Sequence, residues 1–150
     1  MRVVVQRVKR ASVSIGGESR SAIGKGLLVL LGIEETDRSD DATWLAAKIV
    51  NLRIFDDSNG VMNLSAAEAE GGLLIVSQFT LFASTKKGNR PSYIRAARPE
   101  KAIPLYEEFI SVTEALLGQR VGTGLFGAMM EIELVNDGPV TIIIDSRSRE

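Results

Sequence analysis

Two hydroxyl groups and one amide directly follow an apolar run in the middle of the chain. The run is Leu73–Val76, and the polar segment after it reads Ser77-Gln78-Phe79-Thr80-Leu81. Polar groups at a strand end often serve a functional site, although capping of the strand end explains the same pattern. No histidine, lysine or acid lies beside Thr80 in sequence to activate it as a nucleophile. The segment therefore favours binding and oxyanion stabilisation by backbone N–H groups.

The 150 residues include no histidine and no cysteine. These absences exclude a Ser-His-Asp triad, thiolate catalysis, disulfide bonds and metal sites built from imidazole or thiolate. The acidic segment Asp56-Asp57-Ser58-Asn59-Gly60 lacks the ligand spacing of a calcium loop and predicts a turn between strands. We therefore expect neither a metal ion nor a cofactor.

Gly122-Thr123-Gly124-Leu125-Phe126-Gly127 matches the glycine pattern of dinucleotide sites. Such a site needs a strand before the glycines and a helix after them, so that the helix N-terminus faces the pyrophosphate. The predicted order here is the reverse, because a helix ends at Gly118 and a strand begins near Met130. A connection that lines a pocket is the better interpretation.

Positive charge is unevenly spread along a chain with a formal net charge of -1. Residues 2–10 carry four basic side chains and no acid, and residues 86–101 carry six basic side chains and one acid, Glu100. A solvated surface explains either stretch alone. The opening residues Met1–Arg7 are too short an apolar run for a signal peptide, and no segment is long enough to span a membrane, which predicts a cytoplasmic protein.

Apolar periodicity predicts a single α/β domain over residues 1–150, with mixed, partly barrel-like β-sheets and two main helices. One helix begins after Ser39 as cap, and the second begins at Pro99, ends at Gly118 and buries a face that includes Ile103 and Phe109. Asn136–Pro139 is predicted to turn the chain between two strands. The remaining predicted strands are Val3–Val8, Ala11–Ile15, which opens a hairpin at Gly16-Gly17, Leu27–Leu31 and Leu73–Val76.

Four motifs occur in order along the chain: Ser77-Gln78-Phe79-Thr80-Leu81, Lys87-Gly88-Asn89-Arg90-Pro91-Ser92, Phe126-Gly127-Ala128-Met129-Met130 and Asn136-Asp137-Gly138-Pro139-Val140-Thr141. Together they resemble the bacterial and eukaryotic D-aminoacyl-tRNA deacylases, and the similarity extends over nearly the whole chain. Tyr93 stands where phenylalanine is common in that family.

The resemblance implies a homodimeric hydrolase that cleaves the ester of D-aminoacyl-tRNA, and of glycyl-tRNA mischarged on tRNA(Ala), with its active sites at the subunit interface. Gly138 and Pro139, joined by a cis peptide, would enter the partner's pocket and exclude L-amino acids by steric clash. Phe126, Met129 and Met130 would complete the substrate pocket.

By the same resemblance, the catalytic segment would be Ser77, Gln78, Phe79 and Thr80, which surround the 3'-terminal adenosine. Catalysis would use the tRNA 2'-hydroxyl, with the Phe79 backbone N–H as oxyanion donor. The acceptor-stem phosphates would meet Lys86, Lys87 and Arg90. Three alternatives stay open: Thr80 as nucleophile, a non-catalytic RNA-binding module, and a nucleotide-dependent oxidoreductase.

Overall fold

The computed structural model describes residues 1–149 and consists of one mixed sheet, one small hairpin and two helices. The helices are α1 (Ser39–Val50) and α2 (Pro99–Leu117). The strands are β1 (Arg2–Ile15), β2 (Glu18–Ile23), β3 (Gly26–Gly32), β4 (Phe55–Asp56), β5 (Met62–Leu64), β6 (Gly72–Ser77), β7 (Gly122–Thr123) and β8 (Glu131–Asp145).

The large sheet has the order β2-β1-β3-β6-β7, and β8 pairs with β1. β1 is antiparallel to β2, β3 and β8, whereas β3 is parallel to β6 and β6 is parallel to β7. The two ends of this order approach each other, because a Cβ atom built on Gly122 of β7 would lie 2.7 Å from Ser21 Oγ of β2. The predicted mixed, partly barrel-like sheet is therefore confirmed.

β3 is buried on both faces, as its unbroken apolar sequence predicts. Leu27, Val29 and Leu31 belong to the core between the sheet and the helices. Leu28 points the other way into a smaller cluster with Leu74 and residues of β1. Side chains alternate between the two faces of a strand, so this one strand joins both cores.

Both predicted helices are present and pack against each other, but details of each differ from the prediction. The cap of α1 is Arg38, whose backbone N–H donates to Asp41 Oδ2 at 2.9 Å, while Ser39 Oγ donates to Glu108. The carboxylate three residues on satisfies the free N–H group, so Ser39 is not needed as the cap. Ile103 is exposed, because the buried face of α2 centres on Ala102, Tyr106 and Phe109.

The predicted turn of the chain at Asn136–Pro139 is wrong. β8 runs without reversal from Glu131 to Asp145, because β1 offers one long antiparallel partner to both halves. Val8 pairs with Asn136 and Gln6 pairs with Thr141, so the residues between them form a bulge with no strand partners of their own. Likewise, the two predicted strands on either side of Lys9-Arg10 are one strand, and Gly16-Gly17 then forms the predicted hairpin turn.

Candidate active site

A cavity of about 300 Å³ lies where β6 ends. It brings together Ser77, Gln78 and Phe79 from one wall and residues of the glycine-rich connection from the other. The lining residues are mostly apolar and come from separate parts of the chain: Leu31, Ile33, Val76, Ser77, Gln78, Phe79, Ala97, Ala102, Phe126, Gly127, Ala128, Met129, Met130 and Ile132.

The start of the polar segment Ser77–Leu81 continues the pairing of β6 with β3. Ser77 pairs with Leu31 of the neighbouring strand, and the Gln78 backbone N–H donates to the Leu31 carbonyl at 2.7 Å. The chain then turns into a 3-10 helix over Phe79–Phe82. Within residues 1–149, the Phe79 backbone N–H has no acceptor, as is usual at the start of a helix. It is a free donor beside the cavity.

Thr80 lies next to the cavity but does not line it. Its Oγ1 accepts a hydrogen bond from Gln78 Nε2. No carboxylate, lysine or histidine is hydrogen-bonded to this hydroxyl among the described residues. Among residues 1–149, the Thr80 hydroxyl therefore has no hydrogen-bonded base that could activate it as a nucleophile.

The opposite wall is held by Tyr106 of α2. The Tyr106 hydroxyl donates to the Ile75 carbonyl at 3.0 Å, and its ring packs against Phe126 with centroids 5.9 Å apart. Burial raises the pKa of Tyr106 to about 12. The Gly124 N–H also donates to the Ile75 carbonyl, at 3.2 Å. One carbonyl of β6 thus fixes both α2 and the connection that carries Phe126.

The glycine-rich connection lines the cavity, as predicted, and in the part of the chain that the structure describes β8 follows it, with no helix. Gly127 has φ of +78° in the tight turn that the Ala128 N–H closes onto the Leu125 carbonyl at 3.1 Å. The absent helix N-terminus rules out the pyrophosphate site of the dinucleotide pattern. Within residues 1–149, no cluster of three or more acids is arranged to hold a metal ion.

The cavity can bind and polarise a substrate, but it has no side chain that titrates near neutral pH. None of its lining residues is an acid, a lysine or an arginine. Its chemical groups are the Ser77 hydroxyl, the Gln78 amide and the adjacent Phe79 backbone N–H. Such a site suits stabilisation of a developing oxyanion rather than proton transfer to a protein base.

Gly138 and Pro139 lie outside this cavity, on the exposed bulge of β8, and the peptide between them is cis. The bulge rests on Arg7, whose side chain is 8% exposed. Arg7 Nε donates to the Asp137 carbonyl at 3.1 Å, and Arg7 Nη1 donates to the Ile54 carbonyl at 2.7 Å. Arg7 is therefore the buried support of this segment.

Within one chain, the bulge and the cavity are well separated. Ile132 lines the cavity, and Gly138 follows six residues later on the same strand. The continuous ladder from Ile132 to Asn136 alone spans on the order of 14 Å along β8, at about 3.4 Å per residue, and the bulge lies beyond it. The nearest atoms around Gly138 belong to Val140 and Arg7, neither of which lines the cavity.

The two basic stretches have different roles. In residues 2–10, Arg2 pairs with Asp145 at 2.9 Å and Arg7 supports the bulge, so these two cations stabilise the fold. In the second, Lys86, Lys87 and Arg90 are exposed on a loop, and no ion pair within residues 1–149 includes any of them. These three cations are free to meet an anionic ligand.

Four residues that build the site were not identified from the sequence. Arg7 looked like one of several surface cations, and Tyr106 looked like an ordinary core residue. Ala97 lines the cavity just before α2 begins, and Ala102 lines it from the first turn of that helix. The hydroxyl of Tyr106 on a mostly apolar face of the predicted helix could have indicated a buried hydrogen bond. The placement of Arg7 between two backbone carbonyls depends on long-range pairing, which local sequence does not show.

Comparisons with known proteins agree with this architecture. A profile of the family described as D-Tyr-tRNA(Tyr) deacylase matches residues 4–145. The chain is 63% identical to the D-aminoacyl-tRNA deacylase of Bacteroides fragilis strain YCH46 and 55% identical to that of Flavobacterium johnsoniae, each over 150 residues and 100% of both chains.

Solved structures show the same fold. A structure titled "c-Myc DNA Unwinding Element Binding Protein" superimposes with a TM-score of 0.90 at 42% identity, covering 97% of this chain and 98% of the other. A probable eukaryotic D-amino acid tRNA deacylase superimposes with a TM-score of 0.83 at 17% identity, covering 95% and 97% of the two chains. At that identity the second likeness concerns the fold alone.

The fold, the cavity and these similarities define a hydrolase that acts on the ester bond of aminoacyl-tRNA. The chain belongs to the D-Tyr-tRNA(Tyr) deacylase family, and its function is that of a D-aminoacyl-tRNA deacylase. Among residues 1–149, no helix has the length and apolar character needed to cross a membrane.

Proposed function

We propose that the cavity hydrolyses D-aminoacyl esters of tRNA, and glycyl esters mischarged on tRNA(Ala), without a protein side chain acting as base. The observation that carries this proposal is a neutral cavity of about 300 Å³ beside a backbone N–H of Phe79 that has no internal acceptor. The ester is already activated, so positioning and oxyanion stabilisation supply the required catalysis.

In the proposed mechanism, the 2'-hydroxyl of the terminal adenosine assists attack of water on the ester carbonyl. The bond from the carbonyl carbon to the ribose 3'-oxygen then breaks, and the proton that water loses passes through the 2'-hydroxyl to that oxygen, which releases free amino acid and tRNA. The Phe79 N–H stabilises the oxyanion, and one such donor contributes about 2.7 to 4 kcal/mol. Ser77 and Gln78 orient the adenosine, and Thr80 steadies the Gln78 side chain through their hydrogen bond. Phe126, Met129 and Met130 form the wall that faces the amino-acid moiety.

Selectivity is proposed to come from a second copy of the chain. The bulge at Gly138 and Pro139 is exposed and lies far from the cavity of its own chain, so a homodimer is needed for one to meet the other. Inserted there, the bulge would clash with the side chain of an L-amino acid while a D side chain or glycine fits. Such exclusion discriminates without tighter binding of the correct substrate.

Complementation between a cavity variant and a bulge variant tests this cross-subunit arrangement. Ala128→Trp fills the cavity and should abolish hydrolysis, whereas Gly138→Ala disturbs the bulge and should lower discrimination between D and L esters. Because a mixed dimer combines an intact cavity from one chain with an intact bulge from the other, mixing and refolding the two should restore discrimination at about a quarter of all sites and so roughly halve L-Tyr-tRNA hydrolysis per Gly138→Ala chain. Absence of any rescue, with mixed dimers shown by mass spectrometry, would place both elements in the same chain.

Lys86, Lys87 and Arg90 are proposed to hold the phosphates of the acceptor stem while its single-stranded end enters the cavity. Their exposure, and the absence of any ion pair to them within residues 1–149, support this role. We also propose that the protein acts in the cytoplasm, the location that its sequence predicts. Replacing each residue with glutamine should raise KM and reduce its salt dependence while leaving kcat unchanged.

The deciding experiment measures release of free amino acid from D-Tyr-tRNA, L-Tyr-tRNA and Gly-tRNA(Ala). Rapid loss of the D-tyrosyl and glycyl esters, with the L-tyrosyl ester spared, is the expected result. Ala128→Trp serves as the matched control, because it removes the cavity and leaves the basic loop intact. Binding of all three tRNAs with no turnover would instead identify an RNA-binding module.

A further inference from the structure

Two exposed aromatic side chains lie together at the mouth of the cavity. Phe79 is 55% exposed and lines the cavity, and Tyr93 is 39% exposed. Their ring centroids are 5.1 Å apart and the planes meet at 75°, an edge-to-face arrangement. Neither ring belongs to a core cluster of the described residues. Packing of the fold therefore does not account for this pair.

The loop that carries Tyr93 is anchored at its base. Ser84 and Ser92 exchange backbone hydrogen bonds of 2.8 and 2.9 Å. On the other side, the Ala96 N–H donates to the Tyr93 carbonyl at 3.0 Å, and Arg95 pairs with Glu34 at 2.7 Å. The backbone of Tyr93 is thus held between two fixed points, beside Phe79.

The segment between Ser84 and Ser92 carries the free cations Lys86, Lys87 and Arg90. An aromatic surface next to unpaired cations is the combination that binds single-stranded nucleic acid, since bases stack on the rings and phosphates meet the charges. The cavity volume of about 300 Å³ is at the lower limit for a small-ligand site. One terminal nucleoside ester fills such a volume, so the preceding nucleotide must lie outside it.

We propose that the Phe79–Tyr93 pair is a stacking surface for the base that precedes the terminal adenosine of the RNA 3' end. This inference rests on the proposed function, because it assumes that the terminal ester occupies the cavity. Tyr93 is then a specificity residue for an unpaired RNA end, and it acts on binding of the second nucleotide rather than on the ester itself.

The test compares two minimal substrates, the D-tyrosyl ester of adenosine and the D-tyrosyl ester of cytidylyl-adenosine. In the wild type, the added nucleotide should raise kcat/KM. Tyr93→Ala should reduce that gain in kcat/KM about tenfold, which is within the range expected for one base–aromatic stack. Its kcat/KM for the adenosine ester should equal that of the wild type. Tyr93→Phe, which keeps the ring, and Ile94→Ala, which removes a neighbouring side chain that is 91% exposed, should retain the full gain.

Equal losses on both esters, or no gain from the second nucleotide in the wild type, would overturn the proposal. A change of sedimentation coefficient in Tyr93→Ala without a change in the dinucleotide gain would also overturn it, and would assign the pair to contact between two copies. The proposed function is decided separately, by hydrolysis of D-Tyr-tRNA, and fails if that ester is not cleaved. Calorimetric binding of uncharged cytidylyl-adenosine to the same variants then tests the stacking surface alone, and no loss in Tyr93→Ala would overturn it.

Discussion

The cavity and the bulge at Gly138-Pro139 are built in opposite ways. The cavity is enclosed by a strand end, a helix and a connection of one chain, and it relies on apolar contacts and backbone hydrogen bonds. The bulge is exposed and rests on the single buried guanidinium of Arg7. Because the cavity proposed for catalysis and the bulge proposed for selectivity have separate supports, we expect substitutions to separate activity from discrimination.

The largest effect is expected from Gly138→Ala. Gly138 has φ of +131°, and an added Cβ would lie 2.8 Å from Val140 Cγ2 and 3.3 Å from Arg7 Nη2. The bulge must therefore move, and a displacement near 1 Å changes a rate by about a hundredfold. We expect the ratio of kcat/KM for D-Tyr-tRNA over L-Tyr-tRNA to fall by about that factor.

Gly60→Ala provides the matched control for that measurement. Gly60 also has a positive φ, +73°, but its added Cβ has open space and the residue lies in the β4–β5 turn. Its discrimination ratio should equal that of the wild type. An unchanged ratio in Gly138→Ala would mean that the bulge does not select the substrate.

Arg7→Met is expected to have the next largest effect, chiefly on stability. It removes the donors to the Asp137 and Ile54 carbonyls and leaves Asp56 and Asp137 without their cation. Breaking such a buried network costs on the order of 3 kcal/mol. Urea unfolding measures this loss. Arg10→Met, at an exposed position of the same strand, should change the midpoint little.

Arg7→Lys sharpens the same comparison between the cavity and the bulge. Lysine keeps the charge but cannot reach both carbonyls with a planar fork of donors. We therefore expect discrimination between D and L esters to fall while hydrolysis of Gly-tRNA, which has no side chain to exclude, is retained. Equal loss of both activities would show that Arg7 supports the whole fold rather than the bulge.

Local patterns predicted the elements around the cavity better than those around the bulge. The apolar runs of β3 and β6 and the polar residues after Val76 follow from strand alternation and burial, and they place Ser77, Gln78 and Phe79 correctly. The prediction of a chain reversal at Asn136–Pro139 was wrong, because these turn residues occur inside β8, which pairs with β1 on both sides of them. Turn chemistry is local, whereas strand continuity depends on β1, more than a hundred residues away.

Local sequence patterns also did not identify all the residues of the candidate site. Phe126, Met129 and Met130 were associated with the pocket through the family resemblance, since no periodicity marks them as neighbours of Ser77. Their position follows from the Ile75 carbonyl, which binds both Tyr106 and Gly124. These two hydrogen bonds join β6, α2 and the glycine-rich connection, and the sequence of any one of these elements does not reveal them.

The neutral lining of the cavity predicts that the rate acceleration changes little with pH. We expect the ratio of enzymatic to uncatalysed hydrolysis of D-Tyr-tRNA to show no bell-shaped profile between pH 5.5 and 8.5, because no lining side chain titrates there. Taking the ratio removes the titration of the substrate's own amino group. A break near pH 6 to 7 in the ratio would reveal a protein acid or base that the cavity does not contain.

Tyr106 is expected to make the stability of the fold decrease at alkaline pH. Its pKa is raised to about 12 in the folded protein from an ordinary value near 10. The unfolded chain therefore releases this proton more readily, and the stability present below pH 10 is lost as pH rises toward 12. Thermal unfolding of Tyr106→Phe, which has no phenolic proton, should show a weaker decline over that interval.

The smallest effect is expected from Thr80→Ala. Thr80 does not line the cavity, and its hydroxyl is hydrogen-bonded to Gln78 rather than to a base. Removing it frees the Gln78 side chain, so kcat for D-Tyr-tRNA should fall by less than about tenfold. Loss of a true nucleophile lowers kcat by roughly 10⁴ or more. Single-turnover measurement of Thr80→Ala beside Thr80→Ser separates these cases, since a nucleophile would be restored by serine, whereas a positioning hydroxyl leaves both variants near the wild-type rate.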